Sequence, residues 1–266
     1  MSRRKLCILA MALGLVAGAA EATGIALQSH RAVYELVLKR ARPGSGIGDV
    51  SGRFVMEWLD ACDGYVLNQR ILTRILDASG EESVHDYRSA TWESQDGQRL
   101  RFSTRSEVDG ELSEEVSGLG ELRADGGGVA TFVKPEAAKL VLPAGTLFPT
   151  EHTLLLLRAA REGKTTIDTT IFDGSGENGL YRAFAVIGDT KVNGAPRVEA
   201  ELVAGQPVWR FGLAYFQHDD TAGTPEFEVA FRMYGNGISS ELELDYQDFS
   251  LSGRLARIES IPKPGC

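Results

Sequence analysis

The sequence is poor in cysteine and histidine, and this shortage argues against several kinds of catalytic or metal site. Three cysteines and four histidines occur among 266 residues, and no pair has the C-x-x-C spacing of redox motifs or the i, i+4 spacing of a metalloprotease helix. The chain also has no Gly-x-Ser-x-Gly elbow for a serine nucleophile. We therefore predict no catalytic residue, no metal and no cofactor.

The N-terminus has the layout of an export signal. Basic residues occupy positions 3–5, and the run from Leu6 to Gly18 that follows carries no charge and is too short to span a bilayer. Ala20–Ala22 supplies an A-x-A cleavage site, so we predict a signal peptide over residues 1–22 and a mature start at Thr23. A buried N-terminal helix and a retained anchor are the alternatives. No cysteine follows the cleavage point, so we expect no lipid anchor.

The mature chain is acidic. Without residues 1–22, the 28 basic and 37 acidic residues become 25 and 36, which gives a net charge of −11. No basic stripe is present, and binding to nucleic acid or to an anionic membrane surface requires clustered Lys and Arg. We predict a protein of the Gram-negative periplasm that has no transmembrane span and binds no nucleic acid.

Two cysteines remain after the predicted cleavage, Cys62 and Cys266. Thiols tend to pair in an oxidising compartment, so we predict an intramolecular disulfide between them. This bond would tie down the last residue of the chain, and closing so long a loop stabilises by about 5 kcal/mol in the chain-entropy account. A redox-active pair and intermolecular bridges are the alternatives.

Apolar and polar residues alternate with period two over most of the mature chain, as in Ala32–Leu38, Phe54–Trp58 and Leu242–Tyr246. This pattern predicts antiparallel strands with one wet face. Turn dipeptides such as Asp63-Gly64 and Asn236-Gly237 recur at hairpin-like intervals. The sequence therefore predicts an all-β fold, and no βαβ arrangement fits this spacing.

One segment departs from the alternation and predicts a helix near residues 150–162, with Thr150 as N-cap and Gly163 just past its end. Four leucines in a row, Leu154–Leu157, are more apolar than a one-sided surface helix needs, so we expect the helix to lie against or inside the curved sheet. No linker, tandem repeat or low-complexity tract interrupts the chain. We predict a single domain over residues 23–266.

Three motifs resemble binding or catalytic sites, but the residues around each of them indicate a structural role. Gly174–Gly179 spells the G-x-G-x-x-G of dinucleotide-binding folds, but a strand-like run follows where the motif needs a helix, so we predict a hairpin loop. His218-Asp219-Asp220 is the most suggestive acid–base cluster, and its neighbours indicate a solvated turn. Glu114 and Glu115 point to opposite faces of a strand and cannot act as a pair.

An ordered set of short motifs resembles the EipB family of periplasmic cell-envelope integrity proteins. These motifs span the mature chain and include both cysteines: His30–Tyr34, Gly52–Trp58, Cys62–Tyr65, Leu142–Thr146, Phe148–His152, Phe172–Ser175, Thr224–Phe227, Tyr234–Gly237, Asp245–Phe249 and Cys266.

The resemblance implies a long antiparallel sheet wound into a β-spiral or half-barrel around an embedded helix, distantly similar to carriers of the LolA/LolB type. It also implies the same disulfide and a non-enzymatic role in envelope integrity and stress resistance. We expect the protein to act by binding periplasmic or outer-membrane-associated proteins. A carrier or chaperone of lipids or lipoproteins with an apolar groove is the alternative.

Overall fold

The alternating segments form long strands. The structure is a computed structural model that describes residues 24–125, 127–189, 198–218 and 223–265, and these residues form fifteen strands and one helix. The strands are β1 (His30–Ala41), β2 (Ile47–Asp60), β3 (Gly64–Asp77), β4 (Glu82–Ser94), β5 (Arg99–Val108), β6 (Glu111–Leu122), β7 (Gly128–Lys134), β8 (Ala138–Leu142), β9 (Thr146–Leu147), β10 (Thr166–Phe172), β11 (Leu180–Asp189), β12 (Val208–Gln217), β13 (Phe227–Tyr234), β14 (Ser239–Tyr246) and β15 (Phe249–Ser260). The helix, α1, spans Pro149–Arg161.

All fifteen strands belong to one sheet, in the order β8-β7-β6-β5-β4-β3-β2-β1-β15-β14-β13-β12-β11-β10-β9. Neighbouring strands are antiparallel except β9 and β10, which pair in parallel over two residues. The first and last strands meet in the middle of the sheet, where His30 pairs with Ser260. The sheet curls into a nearly closed barrel shape, which confirms the predicted all-β fold with a curled antiparallel sheet.

Phenylalanine side chains hold the two ends of the sheet together. Phe102 on β5 and Phe132 on β7 each pack edge-on against Phe172 on β10, with ring centroids 5.5 and 6.4 Å apart. Phe148, just before α1, also packs against Phe172, and the centroids of these two rings are 6.5 Å apart. Among the described residues no backbone pairing joins β8 to β9, the two outermost strands, so these apolar contacts close the seam between the ends of the sheet.

Glycines leave the space that these rings occupy. A Cβ on Gly118 of β6 would lie 2.5 Å from Cζ of Phe102, and one on Gly174 would lie 2.6 Å from Cβ of the same residue. Gly174 also has a φ of 79°, a conformation that other residues rarely adopt. The seam therefore requires glycine at these positions as much as it requires phenylalanine at its centre.

The helix lies against the concave side of the sheet, as predicted, and its bounds are within a residue of those expected. Leu156 and Leu157 are buried and pack with Ala185, Phe211 and Leu213 of β11 and β12. Leu154 and Leu155 are only half-buried. Gly163 follows the helix with a φ of 74°, and the amide of Lys164 donates to the carbonyl of Ala159, which completes the predicted glycine C-terminus.

The predicted N-cap is wrong. The helix is capped at Phe148, whose side chain makes no capping hydrogen bond, and Pro149 begins it. Thr150 lies inside the first turn, where its backbone N–H points away from the helix and needs a partner. That partner is a glutamate of β4, described below.

The Gly174–Gly179 segment is the predicted hairpin loop, because β10 ends at Phe172 and β11 begins at Leu180 with antiparallel pairing. His218 follows β12, and its backbone amide donates to the carbonyl of Leu180. Asp219 and Asp220 lie outside the described residues, as do the predicted signal peptide over residues 1–22 and Cys266. The signal peptide and the single domain over residues 23–266 stay predictions.

Candidate functional site

A cavity of about 330 Å³ lies between α1 and the concave face of the sheet. The helix packs against β11 and β12 on one side of the interior, and the cavity occupies the other side, towards β1–β3, β13 and β14. Its volume falls at the lower end of the range of about 300–1,000 Å³ that takes small ligands.

The cavity wall is mostly apolar. The side chains that face it come from the helix and from five strands and include Leu156, Tyr34, Phe54, Met56, Trp58, Leu67, Ile71, Val229, Phe231, Met233, Leu242 and Leu244. Tyr34 and Phe54 stack with ring centroids 5.5 Å apart. Such a wall offers an apolar ligand a surface that excludes water, and a chain of methylene groups is stabilised there by about 0.8 kcal/mol per group.

The segment that precedes β1 crosses one end of the cavity. Leu27 faces the cavity and packs on Gly237 of the β13–β14 turn, and the amide of Gln28 donates to the carbonyl of Asn236 at 2.9 Å. Ser29 continues the contact: its Oγ accepts from the amide of Asp60, and its carbonyl accepts from the amide of Ile261. The segment before β1, the end of β2 and the C-terminal tail therefore meet at this end.

A buried acid fixes the beginning of the helix. The two carboxylate oxygens of Glu93 on β4 accept the backbone amides of Thr150 and Glu151 at 2.7 and 2.9 Å. Glu93 is 2% exposed, and burial raises the pKa of its carboxyl group to about 7, although the two amides oppose this shift. Because Pro149 and Thr150 line the cavity, Glu93 sets the position of one of its walls.

Several polar side chains of the cavity wall have hydrogen-bond partners. Tyr34 Oη donates to the carbonyl of Ser239 at 2.7 Å, Asn236 Nδ2 donates to the carbonyl of Leu202 at 2.8 Å, and Thr153 Oγ1 donates to the carbonyl of Pro149 at 3.0 Å. His30 also lines the cavity. Burial lowers the pKa of its imidazole, with a hydrogen bond to the carbonyl of Gln28 acting in the opposite direction.

The structure describes one of the two predicted disulfide cysteines. Cys62 lies in the turn between β2 and β3 with a φ of 71°, and its Sγ is 3.7 Å from the carbonyl oxygen of Pro264. Lys263 beside it forms a 2.7 Å ion pair with Asp60 of the same turn. The C-terminal tail thus runs along the Cys62 turn two residues before Cys266, and the disulfide stays a prediction.

The arrangement is suited to binding. Within the ranges that the structure describes, no group of three or more His, Cys, Asp or Glu side chains is placed to hold a metal ion. The same ranges contain no helix able to cross a membrane. The geometry defines an apolar compartment with some polar groups in its wall, a construction suited to holding a ligand by shape and burial.

Sequence reasoning missed the roles of Glu93, which fixes the start of the helix, and of His30, which lines the cavity. A signal for His30 existed, because it shares the inward parity of β1 with Ala32 and Tyr34, where a polar residue is unexpected. Glu93 gave no such signal, because the sequence does not show which side chain approaches the start of a helix from a distant strand.

A curled antiparallel sheet around a helix, with an apolar cavity between them, defines a class of barrel-like β proteins. Within this class, the chain belongs to the EipB-like family, whose family model matches residues 21–262. It is 35% identical over 262 residues to the cell envelope integrity protein EipB of Brucella abortus, covering 95% of this chain and 92% of that protein. The crystal structure of a β-barrel-like protein of a domain of unknown function from Brucella abortus is 33% identical, with a TM-score of 0.82 over 90% of this chain and all of that one.

These comparisons confirm the predicted family and fold. The name of the Brucella relative supports the predicted role in cell-envelope integrity and a location in the cell envelope. Neither similar protein is named as an enzyme.

Proposed function

We propose that the protein supports envelope integrity from the periplasm by non-covalent binding, and that the cavity holds an acyl chain of a lipid or a lipoprotein. The observation that carries this proposal is the apolar cavity of about 330 Å³ between α1 and the sheet. Its volume suits part or all of a single acyl chain, and a folded protein could not enter it. A lipoprotein would unite the two predictions made from the sequence, a protein partner in the envelope and a lipid ligand.

Titration of the delipidated protein with a chain-length series of neutral alkyl esters tests the proposal. Each methylene group that enters the cavity adds about 0.8 kcal/mol, which is about fourfold in affinity. The affinity should rise by this factor for each methylene and then level off when the cavity is full. Isothermal titration calorimetry should also show a negative heat-capacity change, the mark of apolar burial. An affinity that does not depend on chain length contradicts the proposal.

A pair of variants locates the binding. Thr153 lines the cavity from α1, so Thr153→Phe places a ring in the space that a chain would occupy. Ser103 is exposed on the outer face of β5, so Ser103→Phe adds the same ring outside the sheet. We expect Thr153→Phe to weaken binding by about tenfold or more, because the ring takes the space of at least two methylene groups. Ser103→Phe should leave binding unchanged, and equal affinities in the two variants would place the ligand elsewhere.

A further inference from the structure

His30 lines the cavity and carries a hydrogen-bond acceptor without a partner among the described residues. It is 2% exposed, begins β1, and pairs in register with Trp58 of β2, which also lines the cavity. Its Nδ1 lies 2.6 Å from the carbonyl oxygen of Gln28. Its Nε2 is buried and has no hydrogen-bond partner among the described residues.

The contact with Gln28 decides which nitrogen carries the proton. A carbonyl oxygen can only accept, so Nδ1 must be the N–H donor. Burial lowers the pKa of the ring, which keeps it neutral near pH 7. In the neutral imidazole the second nitrogen has a lone pair and no hydrogen, so Nε2 is an acceptor that requires a donor.

No polar group of the described residues supplies that donor. The hydroxyl of Tyr34, the amide of Asn236 and the hydroxyl of Thr153 donate to the backbone carbonyls described above. Buried polar groups without a partner are rare in native proteins because they are costly, and one beside a cavity calls for an explanation. Nε2 has almost no accessible surface, so a ligand that brings its own donor would satisfy it after a small movement of the neighbouring side chains.

We infer that the cavity selects acyl compounds that carry a hydroxyl or amide N–H near the polar end of the chain, and that this group donates to His30 Nε2. The inference rests on the proposed function, since it names the chemistry of the chain that the cavity holds. An unsubstituted ester leaves Nε2 unsatisfied. A carboxylate offers acceptors alone, so it would meet the lone pair of Nε2 with another lone pair.

Three ligands with a chain of about ten acyl carbons test the inference: methyl decanoate, methyl β-hydroxydecanoate and N-methyldecanamide. At least one of the two donor ligands should bind about tenfold more tightly than methyl decanoate, because it gives a buried acceptor its partner. Comparing the two donor ligands shows whether a hydroxyl or an amide N–H is preferred. Equal affinity for all three overturns the inference and leaves the proposed function standing, whereas binding of none overturns the proposed function as well.

The His30→Phe variant should bind the three ligands with equal affinity, because it removes the acceptor that distinguishes them. The same substitution at His85, a half-buried histidine of β4 that does not line the cavity, should keep the preference of the unmodified protein. If His30→Phe does not fold, the nitrogen NMR resonance of His30 Nε2 in the unmodified protein decides. It should shift upfield when the preferred donor ligand binds and stay in place with methyl decanoate. A resonance that responds equally to both ligands overturns the inference.

Discussion

The buried carboxyl group of Glu93 should make the stability of this protein fall as the pH rises. Its pKa is raised by burial to about 7 in the folded protein, against 4.5 for the ordinary group. Below pH 4.5 the carboxyl group is protonated in both states. Between pH 4.5 and 7 the unfolded chain releases the proton while the folded chain keeps it, so stability is lost with rising pH across this window. The difference of 2.5 pKa units corresponds to about 3 kcal/mol.

The Glu93→Gln variant isolates this contribution, because an amide cannot titrate. Urea unfolding of both proteins at pH 5 and pH 8 gives four free energies of unfolding. Between these pH values the unmodified protein should lose about 2–3 kcal/mol more than the variant does. The same change at Glu111, an exposed acid at the start of β6, should leave the pH dependence of the unmodified protein in place. Parallel pH profiles for Glu93→Gln and the unmodified protein would refute the raised pKa.

Two further predictions concern the covalent and steric constraints of the fold. Cys62→Ser should lower the Tm by about 10 °C or more and increase proteolysis, because it removes the predicted constraint of about 5 kcal/mol on the unfolded chain. A reductant should lower the Tm of the unmodified protein but not that of the variant, and an unchanged Tm in Cys62→Ser would mean that the bond is absent. Gly128→Ala on β7 should destabilise by about 1–3 kcal/mol in chemical unfolding, because its Cβ would lie 1.9 Å from the carbonyl oxygen of Glu121. The matched change Gly212→Ala on β12 meets nothing within 4 Å and should stay within about 0.5 kcal/mol of the unmodified protein, and equal losses in both would contradict this steric account.

The strands could be predicted because most of them have one wet face and one buried face. In β1 the buried residues Ala32, Tyr34 and Leu36 alternate with more accessible ones, so the period of two is visible without any knowledge of the fold. The helix could be placed for a similar reason. Its leucine run and its terminal Gly163 are local signals, which can be recognised in the sequence without knowledge of the fold.

The cap of the helix could not be predicted because it is not local. Glu93 precedes Thr150 by 57 residues, and the two meet only because β4 lies beside the start of the helix in the curled sheet. The sequence places a threonine at the expected boundary, and such a residue usually caps its own helix. Here the backbone amide of Thr150 donates to the carboxylate of a residue on β4. This contact depends on the order of the strands in the sheet.

The cavity exists because the sheet has so many strands. The number of strands that join one sheet cannot be read from local sequence patterns, so the size of the cavity could not be predicted either. A barrel of about eight strands has an interior that side chains alone can fill, and the diameter grows with strand number. Fifteen strands enclose far more space than that, and one helix of thirteen residues packed against β11 and β12 fills only part of it. The space left on the side of β1–β3 is therefore a consequence of the architecture. The architecture alone does not require the wall of this cavity to be apolar, because a water-filled interior would tolerate polar side chains on these strands. The inward positions hold Phe54, Met56 and Ile71 instead, which makes the compartment suited to an apolar ligand.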